Sequence, residues 1–342
     1  MKDRGTCVNI NDVATLAGVS TATVSHVINK TRYVSEETTL AVQAAIAKVG
    51  YTPNIHARNL AAGYSRTLGL IISDITNPFF PDLVKTIQDC ALEPGYEVIV
   101  ANTDYQSEHD VPCVQRLLEF RVRGVMFLTT EKNDAAMERL LQSRTPTVYL
   151  DIGKVGPLAS NIRIDYEKGV HEAVEHLLAL GHKRIAFISG PSHLVSAQLR
   201  RAAFVSAMQK YESSRSTPAI LCEGDFRLES GQRAVRELLA RDEKPTAIVA
   251  ANDLMALGAL GELKKAGLSV PRDVSIVGCD DVYLASLVDP PLTTIMIPRA
   301  EIGRAAVEAV LQMKAEGGPP GREIRIGTKL VVRGSSVPAR LA

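Results

Sequence analysis

The sequence predicts two kinds of fold in one chain: an all-α helix-turn-helix headpiece, then an α/β core of two doubly wound lobes. Three observations predict it. The first 65 residues hold no convincing strand pattern. Beyond them, short apolar runs bounded by turn residues alternate with helix-length segments, the pattern of layered α/β structure. The strands number about ten, more than one compact lobe usually holds, so the core divides in two.

In the headpiece, residues 10–17 form a short amphipathic helix and Gly18-Val19 the turn. Ser20 is a good N-cap for a second helix over 21–29. There Val24, Val27 and Ile28 face the first helix at i, i+3, i+4 spacing, leaving Thr21, Ala22, Ser25, His26 and Asn29 outward. Small polar residues at a helix N-terminus suit close approach to phosphates and base edges in a major groove. A third helix starts at Ser35, with Thr38 at N3 and with Glu36 and Glu37 favouring the first-turn dipole. Residues 1–66 carry seven Lys/Arg against four Asp/Glu, a surplus of three. A small helical bundle with no DNA role fits these residues as well.

In the core, residues 68–73, 97–101, 124–129, 147–150, 184–189, 246–251 and 274–278 read as buried parallel strands. Residues 80–92, 111–120, 166–180, 228–239 and 254–266 read as helices. The break between lobes falls near 161–165. The expected boundaries are a headpiece at 1–52, a hinge helix and linker at 53–65 and a core at 66–342. In the core the N-lobe takes about 66–163 and 296–327, the C-lobe about 164–295 and 328–342. In doubly wound sheets ligands sit beyond the carboxyl ends of strands. That directs attention to the loops 74–80, 102–107, 190–200, 252–253 and 278–282, each of which alone could be a plain connection.

Composition excludes several classes. The 342 residues are 46% hydrophobic and 23% charged, with net charge +1, as in ordinary soluble proteins. No apolar run reaches the roughly 18 residues of a membrane span. Met1 to Gly5 leads into a polar segment without an apolar leader core, so a cytoplasmic protein is expected. The five cysteines lie far apart with no C-x-x-C, consistent with free thiols. There is no P-loop and no G-x-S-x-G elbow. His171 and His176 stand five apart, about 140° around a helix, and do not converge on one metal. Adjacent Asp280 and Asp281 point apart more often than together. No catalytic residue, metal or cofactor is expected.

The run Ile10-Asn11-Asp12-Val13-Ala14, then Val19 to Asn29, resembles the headpiece of LacI/GalR-family transcription regulators, closest to the purine-repressor branch through Asn29-Lys30-Thr31-Arg32-Tyr33-Val34. The likeness continues through Gly50-Tyr51-Thr52-Pro53-Asn54 and Ala57-Arg58-Asn59-Leu60, and spans the core to Val332-Arg333-Gly334-Ser335-Ser336. It implies a core of periplasmic-binding-protein type and a repressor that binds a near-palindromic double-stranded DNA operator as a homodimer. Ser20, Thr21, Ala22, Thr23, Ser25, His26, Asn29, Arg58 and Leu60 are the implied DNA contacts, with Leu60 the wedge of a minor-groove hinge helix. Ala22 replaces that branch's threonine, so the operator can differ. With no heptad extension after the last strand pattern, a dimer is expected rather than a tetramer.

The resemblance also implies a small-molecule effector held by Phe79, Phe80, Asp151, Ser196, Arg200, Phe226, Asn252 and Asp280. The phenylalanines would stack on a ring or sugar face, and Arg200 would offer paired donors. Two structural readings stay open: Arg200 as a bridge to Asp280, and Phe79 and Phe80 as lobe core. The purine-binding branch has an arginine at Leu194, a threonine at Ser196 and a tyrosine at Phe79. Asn252 with Asp280 is the pattern of sugar-sensing members. A sugar or sugar derivative is therefore expected ahead of a purine, with its direction of action open.

Overall fold

The computed structural model describes residues 8–51, 65–129, 131–212, 219–314 and 317–340. The chain forms two compact units, Met1–Ser65 and Arg66–Ala342.

Helix α1, Ile10–Ala17, opens on a reciprocal cap. The Asn9 carboxamide accepts from the Asn11 amide and the Asp12 carboxylate accepts from the Asn9 amide, both at 2.8 Å. Gly18, left-handed at φ 67°, ends it. The Ser20 hydroxyl accepts from the Thr23 amide at 3.1 Å and starts α2, Thr21–Asn29. Ser35 caps α3, Glu36–Val49, in the same way through Thr38. Val13, Ala14, Val24, Val42 and Ala45 close into a small core, with Val27 and Ile28 packed on its rim. This is the inward face that the apolar spacing predicts.

The second unit holds two six-stranded sheets. The N-lobe sheet has the order β11-β5-β4-β3-β1-β2 and is wholly parallel. Its strands are β1 Thr67–Ile72, β2 Glu97–Asn102, β3 Val125–Leu128, β4 Thr147–Leu150, β5 Ala159–Asp165 and β11 Glu323–Gly327. Helices α4 Phe79–Leu92, α5 Asp110–Glu119, α6 Asp134–Gln142 and α11 Arg299–Gln312 cover it. In β1, Leu68, Leu70 and Ile72 join the cluster that holds α4 and α11, while Ile71 joins the one that holds α5 and α6. Burial on both faces explains why β1 reads as a continuous apolar run.

The C-lobe sheet has the order β12-β10-β9-β8-β6-β7, parallel except for β12. It comprises β6 Ile185–Ser189, β7 Ile220–Glu223, β8 Ala247–Ala250, β9 Ser275–Asp280, β10 Thr293–Met296 and β12 Lys329–Val331. Helices α7 Tyr166–Ala179, α8 Val195–Glu212, α9 Leu228–Leu239 and α10 Asp253–Lys265 flank it. The chain crosses between lobes three times: from β5 to α7, from β10 to α11 and from β11 to β12. Thr328 ties two crossings together, donating to the Asp165 carbonyl at 2.6 Å and accepting from the Gly169 amide at 3.0 Å.

Two expectations are corrected. Residues 161–165 are not a break but most of β5, paired to β4 and β11; the crossing comes after Asp165. The segment 190–200 is not all loop, because α8 begins at Val195. No helix among the described residues is long and apolar enough to cross a membrane.

Candidate functional site

The headpiece presents α2, which contains no acidic residue. Thr21 and Ala22 stand exposed at its start. Ser20 and Thr23 bond each other at 2.9 Å, and the Asn29 carboxamide donates to the Ser25 hydroxyl at 3.2 Å. His26 Nδ1 sits 2.8 Å from the Thr31 hydroxyl. Of the seven expected contacts on this helix and its cap, Ser20, Thr21, Ala22 and Asn29 are exposed and Thr23, Ser25 and His26 half-buried. Arg58 and Leu60 lie outside the described residues.

In the second unit, a cleft forms where carboxyl ends of strands from both lobes converge. After β1, the Asn77 carboxamide accepts from the Phe79 amide at 3.0 Å and starts α4. Phe79 and Phe80 meet edge to face with ring centroids 5.3 Å apart. The C-lobe contributes Ser196 and Arg200 from α8, Phe226 beyond β7, Asn252 beyond β8 and Asp280 at the end of β9. All seven line one cavity with Asn77, Tyr105, Leu150, Ile164, Tyr166, Ile297 and Ile302. Free space inside is about 30 Å³, room for one or two waters. The two lobes therefore stand closed on this space.

Arg200 is the hub. Its guanidinium lies 3.3 Å from Asp280 Oδ1 and donates to the Ala251 carbonyl. It stacks 4.7 Å from the Tyr166 ring centroid and 5.6 Å from that of Phe226. Its Nε is buried without a partner. Burial pushes the Asp280 carboxyl up, against the opposing pull of Arg200 and then Arg299. Arg299 also donates to the Asp280 and Asp281 carbonyls at 2.6 and 2.8 Å, so the β10–α11 crossing holds the same loop. Burial likewise raises Tyr105 and Tyr166, which remain neutral donors.

Asn252 spends its carboxamide on structure: Oδ1 caps α10 at the Met255 amide and Nδ2 donates to the Phe226 carbonyl. That bond holds Phe226 in its left-handed conformation, φ 65°. Asp253 is also structural, accepting from the Val282 amide and the Thr294 hydroxyl. Burial first, and then Asp280, pushes its carboxyl well above the usual range. Asp281 pairs with Arg333 at 2.7 Å, while Asp280 pairs with Arg200.

Asp151 requires a correction. It does not line the cavity; its carboxylate accepts from the Ile164 amide and the Tyr166 hydroxyl, both at 2.9 Å. It fixes the β5–α7 crossing from behind, and Tyr166 reaches the cavity in its place. Leu194, where the purine branch has an arginine, is a fully buried core residue. Among residues that sequence reasoning missed, Asn77 and Tyr105 each lay within a loop already marked. Ile164, Tyr166 and Ile297 sit at the lobe crossings, and nothing local in the sequence marks them.

Comparison with known proteins agrees with this arrangement. Residues 9–54 match the family profile described as "Bacterial regulatory proteins, lacI family", and residues 174–336 the one described as "Periplasmic binding protein-like domain". The HTH-type transcriptional repressor PurR of Photobacterium profundum is 34% identical over 95% of this chain and 98% of its own length. The ribose operon repressor of Escherichia coli K12 is 36% identical over 96% of this chain and 99% of its own length. A crystal structure of the lac repressor dimer bound to operator and the anti-inducer ONPF superposes with a TM-score of 0.83 at 34% identity, covering 97% of this chain and 100% of that one.

Proposed function

From the premise that the chain belongs to the LacI family of DNA-binding transcriptional repressors, we propose a homodimeric operator-binding repressor whose DNA affinity is set by a sugar-class effector in the interlobe cleft. The observation that carries the effector class is the Arg200–Asp280 pair inside an aromatic box. Phe79, Tyr105 and Phe226 supply flat apolar faces. The guanidinium and carboxylate supply adjacent donors and acceptors suited to neighbouring hydroxyls. A purine would stack equally well but needs its edge read, and Leu194 faces the core where the purine branch has an arginine. The purine reading stays the alternative because repressors named for purines and for ribose are about equally similar to this chain.

Thr21, Ala22 and His26 read the half-site, Ser20, Thr23, Ser25 and Asn29 support them, and Arg58 and Leu60 serve the minor groove. Lobe parting and closure change the geometry presented to the paired hinges, which couples the two sites. The test is thermal unfolding of the full chain against pentoses, hexoses, sugar phosphates, polyols and purines. A ligand at 100 times its Kd adds about 2.7 kcal/mol of stability. A sugar that raises Tm in the native chain but not in Arg200→Leu, and that shifts operator affinity, supports the reading. A hit confined to purines replaces it. Separately, Leu60→Ala is expected to weaken operator binding strongly with the core still folded, and unchanged affinity would refute the wedge.

A further inference from the structure

We propose that the strand-start face of the N-lobe, around the ends of α5 and α6, is a second DNA surface that grips duplex phosphates flanking the operator. It rests on the repressor reading above, but the contacts it proposes lie outside the headpiece.

The first observation is where helices stop. Gly18, Gly50, Gly95, Gly181 and Gly267 take the left-handed conformation at or just beyond helix ends. Glycine is the residue that adopts it without strain. Among the described residues, three helix stops hold a side chain there instead: Lys30, Arg121 and Arg144, at φ 51°, 52° and 54°. All three are cations. Lys30 directly follows the groove-reading helix. Arg121 and Arg144 follow α5 and α6. A cation within the last turn would serve the helix dipole as well, without a strained backbone. Strain kept where glycine would relax it points to a role for the charge.

The second observation is that these arginines share a face with others. The Arg123 amide donates to the Thr67 carbonyl at 2.7 Å and the Val125 amide to the Pro146 carbonyl at 2.8 Å, so the starts of β1, β3 and β4 lie side by side. Arg116 and Arg139 occupy the last turns of α5 and α6. Residues 116–123 and 139–146 together hold five arginines and one acid, Glu119. Arg123 and Arg139 donate to neutral partners, the Met313 carbonyl and the Gln115 carboxamide. Lys314, exposed beyond α11, adds charge beside Met313. Glu93 and Glu97 fall on the β2 side, which confines the cationic half to α5 and α6.

The third observation is where the chain enters. The first unit ends at Ser65 and β1 starts at Thr67, so the tether from the DNA-binding unit attaches to this face. A duplex held by that unit is thereby kept at high local concentration beside a cationic surface. Guanidinium groups match phosphate oxygens in pairs, and such contacts are indifferent to base sequence.

The test uses the full chain and a duplex selected by it from a randomised pool. Binding is measured on a short duplex spanning only the selected site and on one extended by random flanks. The double variant Arg121→Gln/Arg144→Gln is expected to match the native chain on the short duplex and to bind several-fold more weakly on the long one. There its log–log salt dependence should fall by roughly 3.6, about 0.9 for each of the four phosphate contacts that the two protomers lose together. Arg121→Lys/Arg144→Lys should restore most of the difference, which separates charge from folding. Equal affinity and slope on the long duplex, or equal loss on both duplexes, overturns the proposal. If the native chain selects no duplex at all, the repressor reading itself falls and this one with it.

Discussion

A guanidinium and a carboxylate buried 3.3 Å apart are mutually dependent: each is tolerable in the cleft because the other is there. Arg200→Leu leaves Asp280 buried without its main counter-charge, which costs about 3–5 kcal/mol at pH 8 when a buried pair loses one member. With the folded-state pKa of Asp280 then higher still, the folded chain binds a proton that the unfolded chain does not. Stability of the variant should therefore recover as pH falls towards 5, and denaturant midpoints at several pH values measure it; a pH-independent deficit would mean lost packing dominates. Asp151 offers the opposite experiment. Burial, outweighing its bonds from Ile164 and Tyr166, raises its carboxyl from 3.8 to about 6. A raised acid costs nothing below pH 3.8, costs progressively more up to about pH 6, and costs a constant amount above that. Asp151→Asn keeps an acceptor for the Ile164 amide, turns a donor towards the Tyr166 hydroxyl at every pH, and removes the titration cost. Its effect on stability should therefore be more favourable at pH 8 than at pH 4 by on the order of 2 kcal/mol. Equal effects at the two pH values would contradict the raised carboxyl.

Helix α2 depends on its cap, since Ser20 satisfies the Thr23 amide at the end proposed to approach DNA. Ser20→Ala should cost the headpiece about 1 kcal/mol and weaken operator binding, while the unfolding of the core stays unchanged by calorimetry. The caps also show what was legible in the sequence. Ser20, Ser35 and Gly18 are short-range signals, and the headpiece helices follow them within a residue. The strands buried on both faces, β1, β3, β4, β6 and β8, announce themselves as apolar runs. Strands β5, β7, β11 and β12 have exposed or half-buried residues and do not. Helix α8 was hidden for a different reason: its buried side includes Arg200 and Ser196, which line the cleft, so the apolar spacing breaks there. The same logic covers the cleft. Residues in marked loops could be found one by one, whereas Tyr166 and Ile297 reach the cavity only because three crossings bring two lobes together.

At the scale of the molecule, the closed cleft raises a kinetic question, because about 30 Å³ admits no sugar. Across its mouth Arg227 of the C-lobe pairs with Asp104 of the N-lobe at 3.1 Å, and the Phe226 and Tyr105 rings lie 6.1 Å apart. Asp104, Tyr105 and Phe226 all have left-handed backbones, so both lips hold a strained shape that sets their side chains against each other. The ion pair is half exposed, and such pairs contribute between 0 and about 1 kcal/mol. That is enough to alter the open fraction by up to about five-fold. Asp104→Ala should therefore speed effector association by up to that factor in stopped-flow measurements. Salt supplies the control: raising ionic strength screens an exposed pair, so association should quicken with salt in the native chain and stay flat in Asp104→Ala and in Arg227→Ala. The double variant should be no faster than either single one, because both remove the same contact. Association rates independent of both substitution and salt would mean that the lobes part by a route in which this contact is already broken, and would move the barrier to the Arg299–Asp280 crossing instead.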